Sequence, residues 1–296
     1  MKQEKIITIP ARNNIPEASI YTEVHTQHGQ LRQRDVILLV PGGPGNEHST
    51  YCNPPEFSIA DALLPYVDVI LFDPRGCGKS SQSLVKYCTL AHYIEDIEKI
   101  REHFKIPAEQ FILFGQSYGA IAALGYATEY PEELKKLFLI GGAASSECLQ
   151  EAQENLSRIG TPEQKKWGEK IFTGTFTGTT EEFAEYYEIM GPLYSYSFKP
   201  GQPTPALTYN VEILNFGFGS FLKNFDFRPK LSRIKCPTLL LWGKDDWILD
   251  KKQAAIIHKA LPNSKLKIYQ HCSHMLWIDQ WERFLQDAIN FLKNSQ

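Results

Sequence analysis

The stretch FILFGQSYGAIAALGYA, residues 111–127, decides how this chain is read. It opens on an apolar run, FILFG, that predicts a buried strand, and it continues into small residues that predict a helix from about Ser117 to Tyr130. Between the two, GQSYG places a serine on the turn with Gly115 and Gly119 on either side. A strand that turns at once into a helix exposes the side chain at the turn. Flanking glycines leave room for a strained backbone and for close helix packing. The helix start also offers free N–H groups and the positive end of its dipole, where negative charge develops in acyl transfer. Ser117 is therefore the candidate nucleophile.

A serine hydroxyl needs a base to take its proton, and the base needs a carboxylate to orient it. Both occur downstream, in the order Ser, Asp, His, each just after a strand-like run. TLLLWGKDDWILD (238–250) carries Asp245 and Asp246, and LKIYQHCSHMLWID (266–279) carries His271 and His274. Asp246 is preferred because the GxxD spacing after the strand matches the usual acid position, and His274 because it opens the helical region HMLWIDQWERF. Asp245 and His271 are the runners-up. Taken alone, Asp246 reads as a turn or helix-capping carboxylate and His274 as a capping or core histidine. Their order after GQSYG gives them their meaning. Upstream, LLVPGGPGNEH (38–48) sets a glycine-rich loop after another strand, so the Gly43 and Tyr118 N–H groups are the expected oxyanion hole.

The rest of the chain predicts an α/β fold. Apolar runs at 19–24, 35–40, 67–72, 136–142, 238–243 and 266–270 lack polar alternation, as strands of a mostly parallel sheet covered by helices on both faces do. LAHYIEDIEKIREHF (90–104) predicts a helix. The segment 143–230 shows helical patterns without comparable strands and is rich in Glu, Gly and aromatics, so it is expected to be a helical cap inserted into a core formed by 1–142 and 231–296. Its aromatics suit either a pocket wall or the glue between cap and core. DPRGCGKS (73–80) ends like a phosphate-binding loop, but that motif begins with Gly and here the first residue is Asp73. No helical pattern follows it, so Asp73 and Arg75 are read as structural.

With 296 residues, 43% of them hydrophobic and 22% charged, the chain can bury a substantial core. A net charge of −3 offers no broad positive field, which disfavours nucleic acid or an anionic membrane surface as partner and favours a small molecule or short peptide. The opening MKQEKIITIP does not read as a signal peptide, and no run approaches the roughly 20 apolar residues of a membrane span. Six cysteines without a CxxC pair point to a reduced, cytoplasmic setting, and His271, Cys272 and His274 fit no common zinc spacing. No metal or cofactor is expected, and the oligomeric state is left open.

PGGPG, DPRGCGKS, GQSYG, GKDD and HCSH, in this order, resemble the proline iminopeptidases and their close relatives in the α/β-hydrolase superfamily, nearly end to end. The family usually carries HGGPG, DQRGxGxS and GGSxG, so Pro41, Pro74 and Gln116 are departures, none of which removes a catalytic group. The resemblance implies an α/β-hydrolase fold and a serine aminopeptidase that releases N-terminal proline or small apolar residues from short peptides or amides through an acyl-enzyme. It also implies cap carboxylates that hold the substrate's free amine, for which Glu212 or the group Glu181, Glu182, Glu185 and Glu188 is available. A solvated helix face is the plainer reading of that group. A carboxylesterase or lactonase for small apolar acyl compounds is the alternative within enzymes, and a non-catalytic ligand receptor on the same fold is the alternative of another class.

Overall fold

The computed structural model describes residues 1–12, 15–31, 33–201 and 209–294. Among these residues eight strands form one sheet: β1 (Lys2–Ile9), β2 (Ala18–His25), β3 (Val36–Val40), β4 (Asp68–Phe72), β5 (Phe111–Gln116), β6 (Lys136–Ile140), β7 (Thr238–Gly243) and β8 (Ser264–Tyr269). Their order across the sheet is β1-β2-β4-β3-β5-β6-β7-β8. β1 and β2 run antiparallel at one edge, and from β4 to β8 every neighbouring pair is parallel. Among the described residues ten α-helices accompany it: α1 (Ile59–Leu63), α2 (Leu90–His103), α3 (Tyr118–Glu129), α4 (Glu147–Ile159), α5 (Pro162–Thr173), α6 (Thr180–Tyr194), α7 (Val211–Gly219), α8 (Lys251–Ala260), α9 (Leu276–Asp279) and α10 (Trp281–Lys293).

The apolar runs of the inner strands have no polar alternation because both faces of the sheet are covered. Val36, Leu38, Val40, Phe111, Leu113, Leu137, Leu139, Leu240 and Trp242 face one core, shared with residues of α2, α3 and α8. Their alternating neighbours Ile37, Leu39, Ile112, Phe114, Phe138, Ile140, Leu239 and Leu241 face a second core with α1 and α10. Each fully buried Leu, Ile or Phe contributes about 1.5–3 kcal/mol relative to exposure, so this two-sided burial is the main force holding the sheet flat against its helices.

β1 is the element that the opening residues did not reveal. Lys2–Lys5 are exposed, and only Ile7 and Ile9 are buried, so the strand lacks an apolar run. It exists by pairing along its whole length with β2, from Lys2 opposite His25 to Ile9 opposite Ala18. Between β6 and β7 the chain leaves the sheet and forms α4 to α7. α5 begins with a capping box on Thr161 and Gln164 and ends at Gly174 in the left-handed conformation, φ 66°, which explains its sharp limits. Trp167, Phe172, Phe176, Tyr186 and Phe218 of this inserted segment join the first core rather than forming a separate one.

No described helix is long and apolar enough to cross a membrane.

Candidate active site

Because β3, β5, β6, β7 and β8 are parallel neighbours, the loops that follow them open at the same edge of the sheet. Ser117 follows β5, Asp246 follows β7, His274 follows β8 and Gly43 follows β3. Topology alone thus gathers four stretches separated by up to two hundred or so residues of chain into one place.

Ser117 caps α3 with φ 59° and ψ −128°, a conformation rarely adopted by a residue with a side chain. Such strain costs about 1–3 kcal/mol and persists only where the surroundings impose it. Here they do. The Ser117 N–H donates to the Ile140 carbonyl at 2.9 Å, and the Ser117 carbonyl accepts from Ala120 and Ile121 at 2.9 and 3.1 Å. The two glycines of GQSYG are sterically required. A Cβ on Gly115 would stand 2.2 Å from the Gly119 carbonyl oxygen, and one on Gly119 would stand 2.0 Å from that of Val40.

His274 Nδ1 lies 2.8 Å from Asp246 Oδ2, and both residues are buried. The other carboxylate oxygen of Asp246 accepts from the Ile248 and Leu249 N–H groups at 3.1 and 2.9 Å, so the carboxylate is fixed at both ends. Gly141, at φ 51°, leaves the space the pair needs: a Cβ there would come within 3.1 Å of Asp246 Oδ2 and 3.4 Å of His274 Nδ1. The neighbouring candidates stand apart from this arrangement. Asp245 is exposed and accepts from the Tyr196 hydroxyl at 2.9 Å, His271 is exposed, and the helix-capping role belongs to Asp250 at the start of α8.

The glycine-rich loop after β3 is pinned by two tyrosines. The Tyr51 hydroxyl donates to the Val40 carbonyl at 2.6 Å and the Tyr93 hydroxyl to that of Pro41 at 3.0 Å. Tyr93 also stacks on Tyr118, with ring centroids 5.5 Å apart. Gly43 has φ 108°, where a Cβ would stand 2.7 Å from the Gly45 nitrogen. Gly43, Ser117, Tyr118 and His274 all line one cavity. As first residue of α3, Tyr118 has an N–H with no intrahelical acceptor.

That cavity, of about 810 Å³, lies between the strand ends and the inserted helices. Its wall is largely aromatic and aliphatic, with Phe176, Tyr186, Tyr187, Tyr194, Tyr209 and Phe218 prominent. The tyrosine hydroxyls satisfy one another, Tyr186 with Tyr194 at 2.6 Å and Tyr187 with Tyr209. The end of α6 docks on the histidine loop: Ser273 Oγ donates to the Leu193 carbonyl at 2.5 Å, the Met275 N–H donates to that of Tyr194 at 2.9 Å, and the Tyr194 ring meets the His274 ring edge-on at 5.7 Å. Cys148 also lines the cavity, but burial pushes its thiol up to about 12, so it is no rival nucleophile near neutral pH.

Among the expected amine-binding carboxylates, Glu212 is exposed in the first turn of α7 and does not line the cavity. Glu182 is buried, but its oxygens are occupied by the N–H groups of Thr177 and Gly178 and by Lys170. Glu181 and Glu185 are exposed and away from the cavity; Glu188 lines its outer part. Glu56 is the other described carboxylate in the lining.

Two features of the site were not anticipated. First, the Gln116 side-chain nitrogen lies 3.1 Å from His274 Nε2. Second, a buried ionic network underlies the glycine-rich loop. His48 Nδ1 is 2.5 Å from Asp73 and 3.0 Å from Glu47, and its Nε2 is 3.1 Å from Glu23, which also meets Lys2 and His25. Glu47, His48 and Asp73 have the mutual spacing of metal ligands. Burial opposes charge on His48, but hydrogen bonds to Asp73 and Glu47 outweigh it and hold the imidazole up at about 9. The same contacts make the cluster an ion-pair network that fastens the loops. Asp73 further accepts from the Lys79 N–H at 2.7 Å, which closes its own loop, and Arg75 ties that loop to α2 by clasping Asp96 through two bonds of 3.0 Å.

Strand order, the Ser117 turn and loop positions together define the class, and comparison with known proteins agrees: the model of the alpha/beta hydrolase fold matches residues 35–186 and 209–280. The chain belongs to the α/β-hydrolase family and is a hydrolase similar to proline iminopeptidases. A proline iminopeptidase of Pestalotiopsis fici is 29% identical over 253 residues, covering 83% of this chain and 86% of that protein. One from Thermoplasma volcanium is 26% identical over 274 residues, covering 88% and 89%. Among solved structures, an alpha/beta fold family hydrolase from Bacillus anthracis superposes with a TM-score of 0.78 at 20% identity, over all of both chains. A proline iminopeptidase from Mycobacterium smegmatis superposes with a TM-score of 0.66 at 17% identity, over 98% of each.

Proposed function

We propose that this protein is a serine aminopeptidase that releases N-terminal proline or another small apolar residue from short peptides or amides. The observation that carries the chemistry is the strained Ser117 turn opening into the same cavity as the buried His274–Asp246 pair. In this reading Ser117 Oγ attacks the scissile carbonyl while His274 Nε2 takes its proton. The Gly43 and Tyr118 N–H groups receive the carbonyl oxygen as it becomes negative, and His274 returns the proton to the leaving amine. Water then repeats the sequence on the acyl-enzyme. Asp246 holds the ring in the tautomer with hydrogen on Nδ1 and stabilises the imidazolium that forms. The segment 143–230 serves as the cap that encloses the acyl group, and Glu188 takes the substrate's free amine at the cavity's outer part. The names of the relatives support this substrate class.

Hydrolysis of a small apolar carboxylic ester is a second reading, favoured by one observation. The deep wall around Ser117 is aromatic, and the described carboxylates lining the cavity, Glu56 and Glu188, are both exposed. The two readings separate on proline p-nitroanilide and p-nitrophenyl butyrate, assayed with the protein and its Ser117→Ala and Glu188→Gln variants. The peptidase reading expects Ser117-dependent release from the anilide, with KM raised by Glu188→Gln. Release from the ester alone, indifferent to Glu188, would replace it with the esterase reading.

A further inference from the structure

Gln116 ends β5, immediately before the candidate nucleophile, and is buried. Its side-chain nitrogen lies 3.1 Å from His274 Nε2, on the far side of the ring from Asp246, whose Oδ2 is 2.8 Å from Nδ1. An ionised carboxylate only accepts, so in the neutral ring Nδ1 carries the hydrogen and Nε2 presents its lone pair. The group facing that lone pair must donate, which assigns the Gln116 amide N–H as the donor. Nε2 has one lone pair. Among the described residues the Gln116 amide is its hydrogen-bond partner, and Ser117 Oγ is not.

We propose that Gln116 is a positioning residue that latches the general base of the empty enzyme: its amide occupies the nitrogen that must receive the Ser117 proton, and substrate entry displaces it. The proposal rests on Ser117 acting as the nucleophile and deepens that reading. Space for the movement exists beside the latch. That space is the cavity, of about 810 Å³, which Gln116 itself lines; Gly42 packs closely on the other side, where a Cβ would stand 3.2 Å from Gln116 Oε1. Once the amide swings away, Nε2 takes the hydroxyl proton as Oγ bonds to the carbonyl carbon and the carbonyl electron pair moves onto oxygen. The amide lies at the cavity wall together with Ser117 and His274, so an entering acyl group meets all three.

The latch acts on the free enzyme, and this gives it a signature that a merely structural residue lacks. Gln116→Met keeps the length of the side chain and removes the donor. Labelling by a fluorophosphonate probe, followed by intact-mass spectrometry on the full chain, is expected to speed up about two- to tenfold, the span of one neutral hydrogen bond. With substrate, kcat/KM rises by a similar factor through a lower KM, and kcat stays near the wild-type value. Gln116→Glu moves the other way. A carboxylate facing Nε2 favours the protonated ring, so labelling slows near neutral pH and recovers as pH is raised. Opposite signs for the two variants support the latch. Labelling of Gln116→Met no faster than wild type overturns it; should that variant fail to fold, labelling of Gln116→Glu no slower than wild type does so. Wild type labelled no more than Ser117→Ala would overturn the nucleophile reading instead, so the two failures are distinct.

Discussion

His274 and Asp246, 28 residues apart in sequence, meet through a 2.8 Å contact between Nδ1 and Oδ2 in a buried setting, and Gly141 is the residue whose missing side chain makes room for them. Asp246→Asn keeps the shape of the carboxylate but presents an amide that can favour the wrong ring tautomer. Turnover is expected to fall by about a thousandfold or more, with little change in KM. Steady-state kinetics on the best substrate checks this, and a loss under tenfold would remove Asp246 from the mechanism. Asp245→Asn, on the exposed neighbour, is expected to leave kcat unchanged.

The turn at Ser117 depends on glycines that no other residue can replace. A Cβ on Gly119 would stand 2.0 Å from the Val40 carbonyl oxygen, which is backbone and cannot move aside alone. Gly119→Ala is expected to destabilise the fold by about 3 kcal/mol, at the upper end of ordinary overpacking. A shift in the urea midpoint with an unchanged m-value measures it. Wild-type stability in this variant would mean that α3 can slide away from β3.

The network around His48 predicts a pH dependence of stability. Its folded pKa, about 9, lies above its ordinary value of 6.5. Bound protons therefore favour the folded state: the contribution is present in full below about pH 6.5 and is lost as pH rises through about 9. The melting temperature is expected to fall between about pH 7 and 10, and His48→Gln to lower it near pH 6.5 while flattening that decline. Glu23, held down at about 2 because hydrogen bonds from Lys2, Tyr21 and His25 outweigh burial, acts at the other end, where its contribution is lost as pH falls toward that value. A wild-type melting temperature that is level from neutral to alkaline pH would show that the network is not held together by charge.

Glu182 shows what the acidic group of α6 does. Burial opposes its charge, yet N–H donors from Gly178 and Thr177 together with Lys170 hold its carboxyl below the usual range. Glu182→Ala is expected to loosen the link between α5 and α6 without removing an amine-binding group. KM is then expected to rise with kcat nearly kept, accompanied by faster backbone amide exchange in residues 174–182. Unchanged exchange there would mean that Glu182 does not tie the segment down.

The inner strands, and the loops that carry Ser117, Asp246 and His274, were legible because both are written in local pattern. Apolar runs mark strands buried on two faces, and GQSYG sits where a strand meets a helix, so one motif marks both the fold and the position of Ser117, the candidate nucleophile. β1 was not legible, because an edge strand with exposed Lys2 to Lys5 is made by its partner rather than by its own residues. The Gln116 contact was equally hidden. Sequence showed Gln116 as a departure from the usual glycine, but a side chain 158 positions from His274 carries no local sign of touching it. The position of Glu212 was not legible either, since the resemblance implied a cap carboxylate without showing which one, and the Glu212 side chain is exposed in the first turn of α7. The His48 network could have been suspected from Asn46, Glu47 and His48 closing the glycine-rich loop, but its partners come from β2 and the loop after β4.

The most direct test is to locate the covalent adduct formed with a fluorophosphonate probe, by intact mass and then by peptide mapping. A single adduct on Ser117 is expected, absent from Ser117→Ala, whose melting temperature stays near that of the wild type. An adduct on another residue, or one that persists undiminished in Ser117→Ala, would contradict it.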